Sequence, residues 1–341
     1  MTSPNETALV EDLAARATAA SRRRDEGAIV SGVRPLTGGS SSLTFVADVV
    51  SPSSTERVVL KVAPPGLEPI RNRDVLRQGR VMDALAGASG VRVPAVLFDD
   101  AGAPTAIPPF VAMSLMAGEC VEPLLEESRD HATHERTYAR FLDAARMLGH
   151  LHSARPADLG LADEPVVTLP EEIARWTRAF ETAPEDLRGD YLTCAEALHD
   201  TMPEQLAPVV NHGDYRLGNT LCEGDRVTAI IDWEIWSVGD PRIDLTWLTY
   251  FTDEAGHPAA PSSDPCGTPT IDEVVRAYEV AVGHSVPDIT WFDALTRYKE
   301  AAATALLIKR ARKRNAMPPA FVRMEPALPG LVKEALALLG R

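Results

Sequence analysis

Three oxygen-bearing side chains in the second half of the chain have the spacing that phosphoryl transfer requires. Asn219 lies five residues after Asp214, and Asp232 ends a short apolar run that follows them. Such a reaction needs one carboxylate to orient the attacking hydroxyl, and further oxygen ligands to hold Mg²⁺ against nucleotide phosphates. Asp and Asn also favour turns and helix caps, so any one of these residues alone would be explained by local structure. Together they predict a phosphoryl-transfer site.

Two features of the N-terminal third suit a bound triphosphate. The first is a loop of small residues, Gly38, Gly39, Ser40, Ser41 and Ser42. Glycine permits a tight turn and a close approach of the backbone to phosphate, and serine adds hydrogen-bond donors. The second is Lys61, which lies inside an apolar run. A strand lysine is usually an outward-facing edge residue, but a preceding glycine-serine loop favours a phosphate ligand.

The elements that would position these residues follow from the hydrophobic pattern. Predicted strands share apolar and β-branched residues and span 43–50, 57–62, 94–98 and 110–116, with two short ones before His212 and over 227–233. Predicted helices have apolar residues at helical intervals and span 73–85, 137–152, 188–201, 271–282, 292–313 and 330–339. An N-terminal helix that ends near Arg22 precedes them. Residues 256–269, rich in Pro, Ser and Gly, predict an exposed loop.

Composition narrows the function classes further. The 341 residues are 45% hydrophobic and carry a formal net charge of -15, which disfavours nucleic-acid partners because phosphates are repelled. Four cysteines without a CxxC pair argue against a disulfide framework or a zinc site. The N-terminus has no apolar signal core, and no apolar run is long enough to span a membrane. We therefore expect a cytoplasmic protein whose partner is a small molecule.

The motif around Asp214 resembles one found in a known enzyme family. Residues 212–219 read His-Gly-Asp-Tyr-Arg-Leu-Gly-Asn, and two further segments, 229–234 and 239–245, follow in the family's order. The combination resembles the aminoglycoside phosphotransferase family, and is closest to a branch that includes the kinase-like domain fused to some acyl-CoA dehydrogenases. The resemblance covers residues 27 to about 310.

The resemblance implies an α+β, protein-kinase-like fold with two lobes. Residues 27–117 would form a small, nucleotide-binding N-lobe with an antiparallel sheet. Residues 118–341 would form a larger, mostly helical C-lobe that carries catalysis and substrate binding. Residues 1–26 would be a helical extension.

The resemblance also implies a role for each site residue. Asp214 would be the catalytic base, and Asn219 and Asp232 would bind Mg²⁺. Lys61 and the loop from Gly38 to Ser42 would hold the ATP phosphates. Met113 and Leu115 would bind adenine through the backbone between the lobes. His212, Asp240 and Asp244 would support the catalytic loop.

One position departs from the family pattern. The family places a glutamate on the helix after the lysine strand, where it pairs with that lysine, but this chain has Gln78. A neutral amide can accept a hydrogen bond from Lys61 but cannot balance its charge. Asp74, one turn earlier, is an alternative partner. The departure leaves open a non-catalytic nucleotide-binding module.

We expect an ATP- and Mg²⁺-dependent phosphotransferase that acts on a hydroxyl of a small molecule. The branch resemblance indicates a hydroxyacyl-CoA or another metabolite, and the basic residues 309–314 could hold an anionic tail. The alternative is an aminoglycoside or another antibiotic, because an acidic protein suits a polycation. The sequence does not decide between ATP and GTP, and it does not give the oligomeric state.

Overall fold

The computed structural model describes residues 4–36, 42–52 and 54–341. Its helices, in chain order, are α1 (Pro4–Ser21), α2 (Val75–Leu85), α3 (His134–Ser153), α4 (Leu169–Thr182), α5 (Tyr191–Asp200), α6 (Arg242–Tyr250), α7 (Ile271–Val282), α8 (Ile289–Arg314), α9 (Pro319–Met324) and α10 (Leu328–Leu338). Its strands are β1 (Ile29–Pro35), β2 (Leu43–Val50), β3 (Thr55–Val62), β4 (Val96–Asp100), β5 (Phe110–Ser114), β6 (Val209–Asn211), β7 (Thr220–Glu223), β8 (Arg226–Ile230) and β9 (Ser237–Gly239).

The chain forms two compact units. Unit 1 comprises the described residues up to Ala88, together with Arg92–Ala117 and Thr228–Trp236. Unit 2 comprises Ser89–Val91, Gly118–Val227 and Ser237–Arg341. No helix in the described ranges is both long enough and apolar enough to cross a bilayer. Sheet and helices together confirm the predicted α+β class.

Unit 1 is organised by an antiparallel sheet with strand order β1-β2-β3-β5-β4. β2 and β3 pair antiparallel from Leu43 opposite Val62 to Val50 opposite Thr55, which confirms the two predicted strands. One face of this hairpin packs with α1 in a buried core that includes Phe45, Leu60 and Leu13. Alternating apolar residues therefore fix the register of β3, and with it the position of Lys61.

Strand β1 was not predicted from the sequence. Of its seven residues, only Val30 is buried, and its pairing with β2 is irregular between Ser31 and Arg34. An edge strand with one buried side chain lacks the alternation that identifies strands, so its pattern was too weak to recognise.

Helix α2 begins at Val75, two residues later than predicted. The Asp74 carboxylate accepts a hydrogen bond from the Arg77 N–H (3.0 Å) and caps the helix. A capping aspartate satisfies a backbone donor that would otherwise lack a partner. Asp74 is thus engaged locally, and the expectation that it might pair with Lys61 is wrong.

Unit 2 is mainly helical, as predicted, but α4, α6 and the short α9 were missed. The start of α4 carries a reciprocal capping box between Thr168 and Glu171, a signal that the sequence displays. Helix α6 directly follows the Asp240-Pro241 pair, and eight of its residues are buried. A helix buried on all sides has no amphipathic period, which explains why its pattern was not recognised.

The segment 256–269 was predicted to be an exposed loop, and this expectation is wrong in part. The Asp253 carboxylate accepts backbone hydrogen bonds from Cys266, Gly267 and Thr268 at 2.9–3.1 Å. Within the segment His257 is only 5% exposed. A single aspartate therefore folds this segment back onto unit 2.

Helices α3 and α7 approach each other closely at Gly149. A Cβ added there would lie 2.5 Å from the Ala281 Cβ and 3.0 Å from the Tyr278 carbonyl oxygen. Only glycine allows this contact, which brings α3 next to the strand that leads to Asp214.

We predict that Gly149→Ala destabilises the protein by about 1–3 kcal/mol, because the added methyl forces two packed helices apart. The free energy of unfolding from urea titration measures this change. Gly330→Ala in α10 is the matched control, since no atom lies within 4 Å of its added Cβ. Equal effects of the two substitutions would contradict the packing argument.

Candidate active site

The segment that carries Asp214 turns sharply after β6. Gly213 has a φ of +88°, a backbone conformation that suits glycine. The Asp244 carboxylate, fully buried on α6, accepts the N–H groups of His212 (2.5 Å) and Gly213 (2.9 Å). The Lys299 ammonium donates to the Gly213 carbonyl oxygen at 2.5 Å. Two charged side chains thus fix the backbone just before Asp214.

Histidine 212 supports this segment, as expected from the sequence. Its Nδ1 accepts a hydrogen bond from the Asp214 N–H at 3.2 Å. Asp240 acts further away, where it accepts from the Leu206 N–H (2.9 Å) and pairs with buried Arg242 (2.7 Å). Asp244 thus contacts the turn at His212 and Gly213 directly, whereas Asp240 binds the backbone that precedes β6.

The Asp214 carboxylate is held at both oxygens. Oδ1 accepts from the Trp247 indole N–H (2.6 Å) and lies 3.3 Å from the Arg216 Nε. Oδ2 accepts from the Asn219 amide at 2.7 Å. The Asp214 side chain is still 30% exposed. An oriented and accessible carboxylate can accept a proton from an alcohol.

The amide of Asn219 is oriented by Asp214. Its Nδ2 donates to both the carbonyl oxygen and the Oδ2 of Asp214, each at 2.7 Å. The amide has two donor hydrogens, and both are engaged, which leaves the Oδ1 of Asn219 as an acceptor. An amide oxygen beside a carboxylate is a donor set that fits Mg²⁺.

Unit 1 carries the other two charged candidates. The Lys61 ammonium on β3 lies 2.5 Å from the Oδ1 of Asp232. Asp232 lies two residues after the end of β8. Lys61 is 11% exposed and Asp232 is 38% exposed by side chain. Asp232 has left-handed backbone angles of 66° and 54°. A non-glycine residue in this strained conformation is typical of functional sites, and its accessible carboxylate suits a hard cation.

The phosphate loop can be followed only in part. Gly38, Gly39, Ser40 and Ser41 lie outside the described residues. Ser42 is buried at 9% exposure, immediately before β2. The role of this loop in nucleotide binding stays a prediction.

The adenine-binding candidates lie at the end of β5. Met113 is buried and pairs with Val59 on one side and Val96 on the other. The Leu115 N–H donates to the Arg57 carbonyl oxygen at 3.3 Å, and its side chain is 43% exposed. The sheet already uses backbone groups here, so their role in adenine binding also stays a prediction.

Gln78 does not take the place of the family's glutamate in this structure. Its Nε2 donates to the Asn72 carbonyl oxygen at 3.2 Å. Its buried Oε1 has no hydrogen-bond partner among the described residues. Lys61 relies on Asp232 instead.

Several contacts of Asp214 escaped the sequence analysis. The indole N–H of Trp247, a residue that no motif in the sequence places in the site, donates to the Asp214 carboxylate. The buried Glu122 carboxylate accepts from the Gly218 N–H (2.9 Å) and lies 3.4 Å from the Arg216 guanidinium. Burial raises the pKa of Glu122, although Arg216 opposes this shift. Trp247 shows helical spacing only, and Glu122 precedes Asp214 by 92 residues, so no local pattern reveals either.

A buried aromatic group lies next to these residues. His257 stacks near Tyr250 and Phe251, with ring centroids 4.6 and 4.8 Å away. Its Nδ1 accepts from the Ala259 N–H at 3.1 Å, which defines a neutral ring. Burial lowers the pKa of His257 to about 3, and the charge of Arg216 acts in the same direction.

Comparison with known sequences identifies relatives of this chain. A profile of the phosphotransferase enzyme family (APH) matches residues 32–288. Mouse acyl-CoA dehydrogenase family member 10 is 26% identical over 280 residues, which cover 75% of this chain. This chain spans only 24% of that relative's length.

Solved structures share the fold. A Ralstonia eutropha protein assigned to the aminoglycoside phosphotransferases is 20% identical, with a TM-score of 0.75, and the match covers 94% of this chain and 97% of that one. A variant of aminoglycoside phosphotransferase APH(4)-Ia, solved with AMP-PNP and hygromycin B, is 14% identical with a TM-score of 0.57; the match covers 93% and 97%. The predicted kinase-like fold is confirmed.

The neutral, buried His257 predicts a pH dependence of stability. The pKa of His257 is about 3 in the folded protein and 6.5 for an ordinary histidine, so the unfolded chain takes up a proton that the folded chain does not. The contribution of His257 to the free energy of unfolding is complete above pH 6.5, and it declines as the pH falls from 6.5 towards 3. The loss reaches about 2 kcal/mol at a pH of about 5.

We predict that His257→Phe, which keeps an apolar ring against Tyr250, removes this part of the pH dependence. Urea unfolding at about pH 7.5 and pH 5 measures it in both proteins. The wild type should lose about 2 kcal/mol more than the variant between these values. Equal losses of unfolding free energy in the two proteins would show that His257 is not held neutral.

Proposed function

Because the chain belongs to the phosphotransferase enzyme family, we propose that it uses ATP and Mg²⁺ to phosphorylate a hydroxyl group of a small metabolite. The single observation that carries the proposal is the Asp214 carboxylate, oriented by Trp247 and Asn219 yet accessible to solvent. Family membership indicates a small-molecule phosphotransferase with a hydroxyl acceptor. ATP as donor, Mg²⁺, a cytoplasmic location and the individual roles are our proposal.

In the proposed mechanism, Asp214 orients the acceptor hydroxyl and takes its proton as the oxygen attacks the γ-phosphorus. The bond from that phosphorus to the β–γ bridging oxygen breaks, and ADP leaves. Lys61 contacts the nucleotide phosphates. Asn219 Oδ1 and the Asp232 carboxylate would hold Mg²⁺, which when bound neutralises charge on the phosphates. The chain forms no covalent intermediate, so its contribution is positioning and electrostatic stabilisation.

Charges near Asp214 in unit 2 favour an acceptor that is not a polycation. Two aromatic rings on α6 and just beyond it already have a cation over them. Lys299 lies 3.9 Å from the Trp247 ring centroid, but it is buried and bonded to the Gly213 carbonyl oxygen. Arg216 lies 5.3 Å from the Phe251 ring centroid, and its Nε is 3.3 Å from the Asp214 Oδ1. A cationic acceptor at Asp214 would approach the Arg216 guanidinium, and like charges at short range repel.

The buried carboxylates near Asp214 do little to offset this repulsion of a cationic acceptor. Burial raises the pKa of Glu300, and the charge of Asp214 adds to the rise. Glu122 is buried and its pKa is also raised, while Arg216 lies beside it. An aminoglycoside site would need accessible negative charge, so we rank a neutral or anionic metabolite, such as a hydroxyacyl-CoA, above an antibiotic.

The basic residues 309–314 give this ranking limited support. Arg312 pairs with Asp186 (2.6 Å) and Glu325 (2.7 Å) on the surface of unit 2. Arg310 and Lys313 are exposed. An anionic tail of the acceptor could use these two residues, but the run as a whole matches a solvated helix end.

We predict that Asp214→Ala lowers phosphoryl-transfer turnover by about 10²–10⁴-fold, the usual contribution of a general base. Nucleotide affinity should change little, because Asp214 is assigned to the acceptor. Steady-state kinetics and calorimetric titration of AMP-PNP measure the two effects. Asp225→Ala, in an exposed turn, is the control. Near-normal turnover of Asp214→Ala would refute its role.

We also predict the charge preference of the acceptor. ATP consumption should rise with hydroxylated acids or hydroxyacyl thioesters, and stay at background with aminoglycosides, because the Arg216 guanidinium lies beside the Asp214 carboxylate. A coupled ADP-release assay over both compound sets measures this preference. Selective turnover of aminoglycosides would overturn the ranking, and nucleotide binding without transfer to any acceptor would favour a non-catalytic module.

A further inference from the structure

Position 78 is a buried position on α2 that carries a neutral amide. Gln78 is 2% exposed, and its Nε2 donates to the Asn72 carbonyl oxygen at 3.2 Å. Its Oε1 is buried without a hydrogen-bond partner in the described part of the chain, and such an atom destabilises the fold. Gln78 therefore brings polarity but no negative charge to this position.

Gln78 lies on the helix that covers the Lys61 face of the sheet. Its neighbour Gly79 packs on Val111, since a Cβ added at Gly79 would lie 2.9 Å from the Val111 Cγ2. Val111 is directly opposite Lys61 in the pairing of β3 with β5. Directly opposite residues of an antiparallel pair project from the same face. The Lys61 side chain therefore starts on the side of the sheet that α2 covers.

Helix α2 offers Lys61 no carboxylate, however. Asp83 is its only acidic residue, and it is exposed in the last turn. Asp74 caps the helix. Within the described residues, the hydrogen bond of the Lys61 ammonium goes to Asp232, at 2.5 Å.

The helix is also tied to the segment that follows Asp232. The Arg77 guanidinium lies 3.8 Å from the Trp236 ring centroid and donates to the Trp236 carbonyl oxygen (3.0 Å). The Trp236 indole N–H returns a bond to the Arg77 carbonyl oxygen at 3.2 Å. Gln78 is thus held within the same local structure as Lys61 and Asp232.

We propose that the absence of a carboxylate at position 78 leaves Lys61 paired with Asp232, and thereby makes Mg²⁺ binding depend on nucleotide. This inference rests on the proposed function, since it takes Asp232 as a metal ligand. A metal ion at Asp232 would lie close to the Lys61 ammonium, and the two cations repel. With no carboxylate on α2, only the phosphates of a nucleotide offer Lys61 a new anionic partner.

The inference predicts a specific response to a carboxylate at position 78. In Gln78→Glu, the new carboxylate should draw Lys61 away from Asp232. Mg²⁺ should then bind about tenfold more tightly in the absence of nucleotide, which corresponds to about 1.4 kcal/mol. Gln78→Leu, which removes the amide but adds no charge, should leave this affinity unchanged.

Calorimetric titration of Mg²⁺ without nucleotide measures the effect, and the same titration with AMP-PNP measures the coupling between the two ligands. Lys61→Met removes the competing cation, so it should also tighten Mg²⁺ binding about tenfold. Adding Gln78→Glu to Lys61→Met should bring no further gain. This second variant tests the idea even where Gln78→Glu fails to fold.

The outcomes separate this inference from the proposed function. Cooperative binding of Mg²⁺ and AMP-PNP that neither Gln78→Glu nor Lys61→Met alters would overturn the inference alone. Gln78→Glu could also raise the Mg²⁺ affinity equally in the wild type and in Lys61→Met. That result would overturn the inference, because the added negative charge would then explain the gain without Lys61. A wild type that binds neither Mg²⁺ nor AMP-PNP would overturn both.

Discussion

The buried carboxylate of Asp244 is the interaction on which the catalytic segment depends. It accepts two consecutive backbone N–H groups, those of His212 and Gly213, from a fully buried position on α6. Burial alone would raise the pKa of Asp244, but neighbouring His152, His212 and Lys299 outweigh it and hold the pKa below its ordinary value. A charged acceptor for two amides defines the turn, and the turn sets the direction of the Asp214 side chain.

From that turn, one set of hydrogen bonds gives each polar group its orientation. Asn219 donates both amide hydrogens to Asp214. These two hydrogen bonds orient the Asp214 carboxylate and leave the Asn219 Oδ1 as an acceptor. Trp247 fixes the other carboxylate oxygen, and Lys299 lies over the Trp247 ring. Side chains locked in this way need little reorganisation during a reaction, which is the main contribution a protein makes to phosphoryl transfer.

Local patterns predicted much of the fold. Strands β2 and β3 followed from runs of apolar and β-branched residues, and α7 was predicted with the bounds Ile271–Val282 from apolar residues at helical intervals. The structure shows that a capping box at Thr270 and Glu273 and then Gly283 mark the two ends of α7. Strand β1 and helix α6 were missed because one is mostly exposed and the other almost wholly buried. Neither extreme produces a periodic pattern.

The site was predictable to the extent that its motifs are local. The Asp214 and Asn219 spacing is visible in the sequence, and the structure joins these two residues directly. The partner of Lys61 was not predictable, because Asp232 is 171 residues away and the expected alternatives were Gln78 and Asp74. Contacts at such separations depend on tertiary packing, which a single sequence does not display.

The central proposal gives Asn219 and Asp232 each a role in Mg²⁺ binding, and its most direct test is a metal titration. Mg²⁺ would be titrated by calorimetry into AMP-PNP-saturated wild type, Asn219→Ala and Asp232→Asn. The account predicts that each substitution weakens Mg²⁺ binding at least about tenfold, because each removes an oxygen donor. Wild-type affinity in either variant would contradict it.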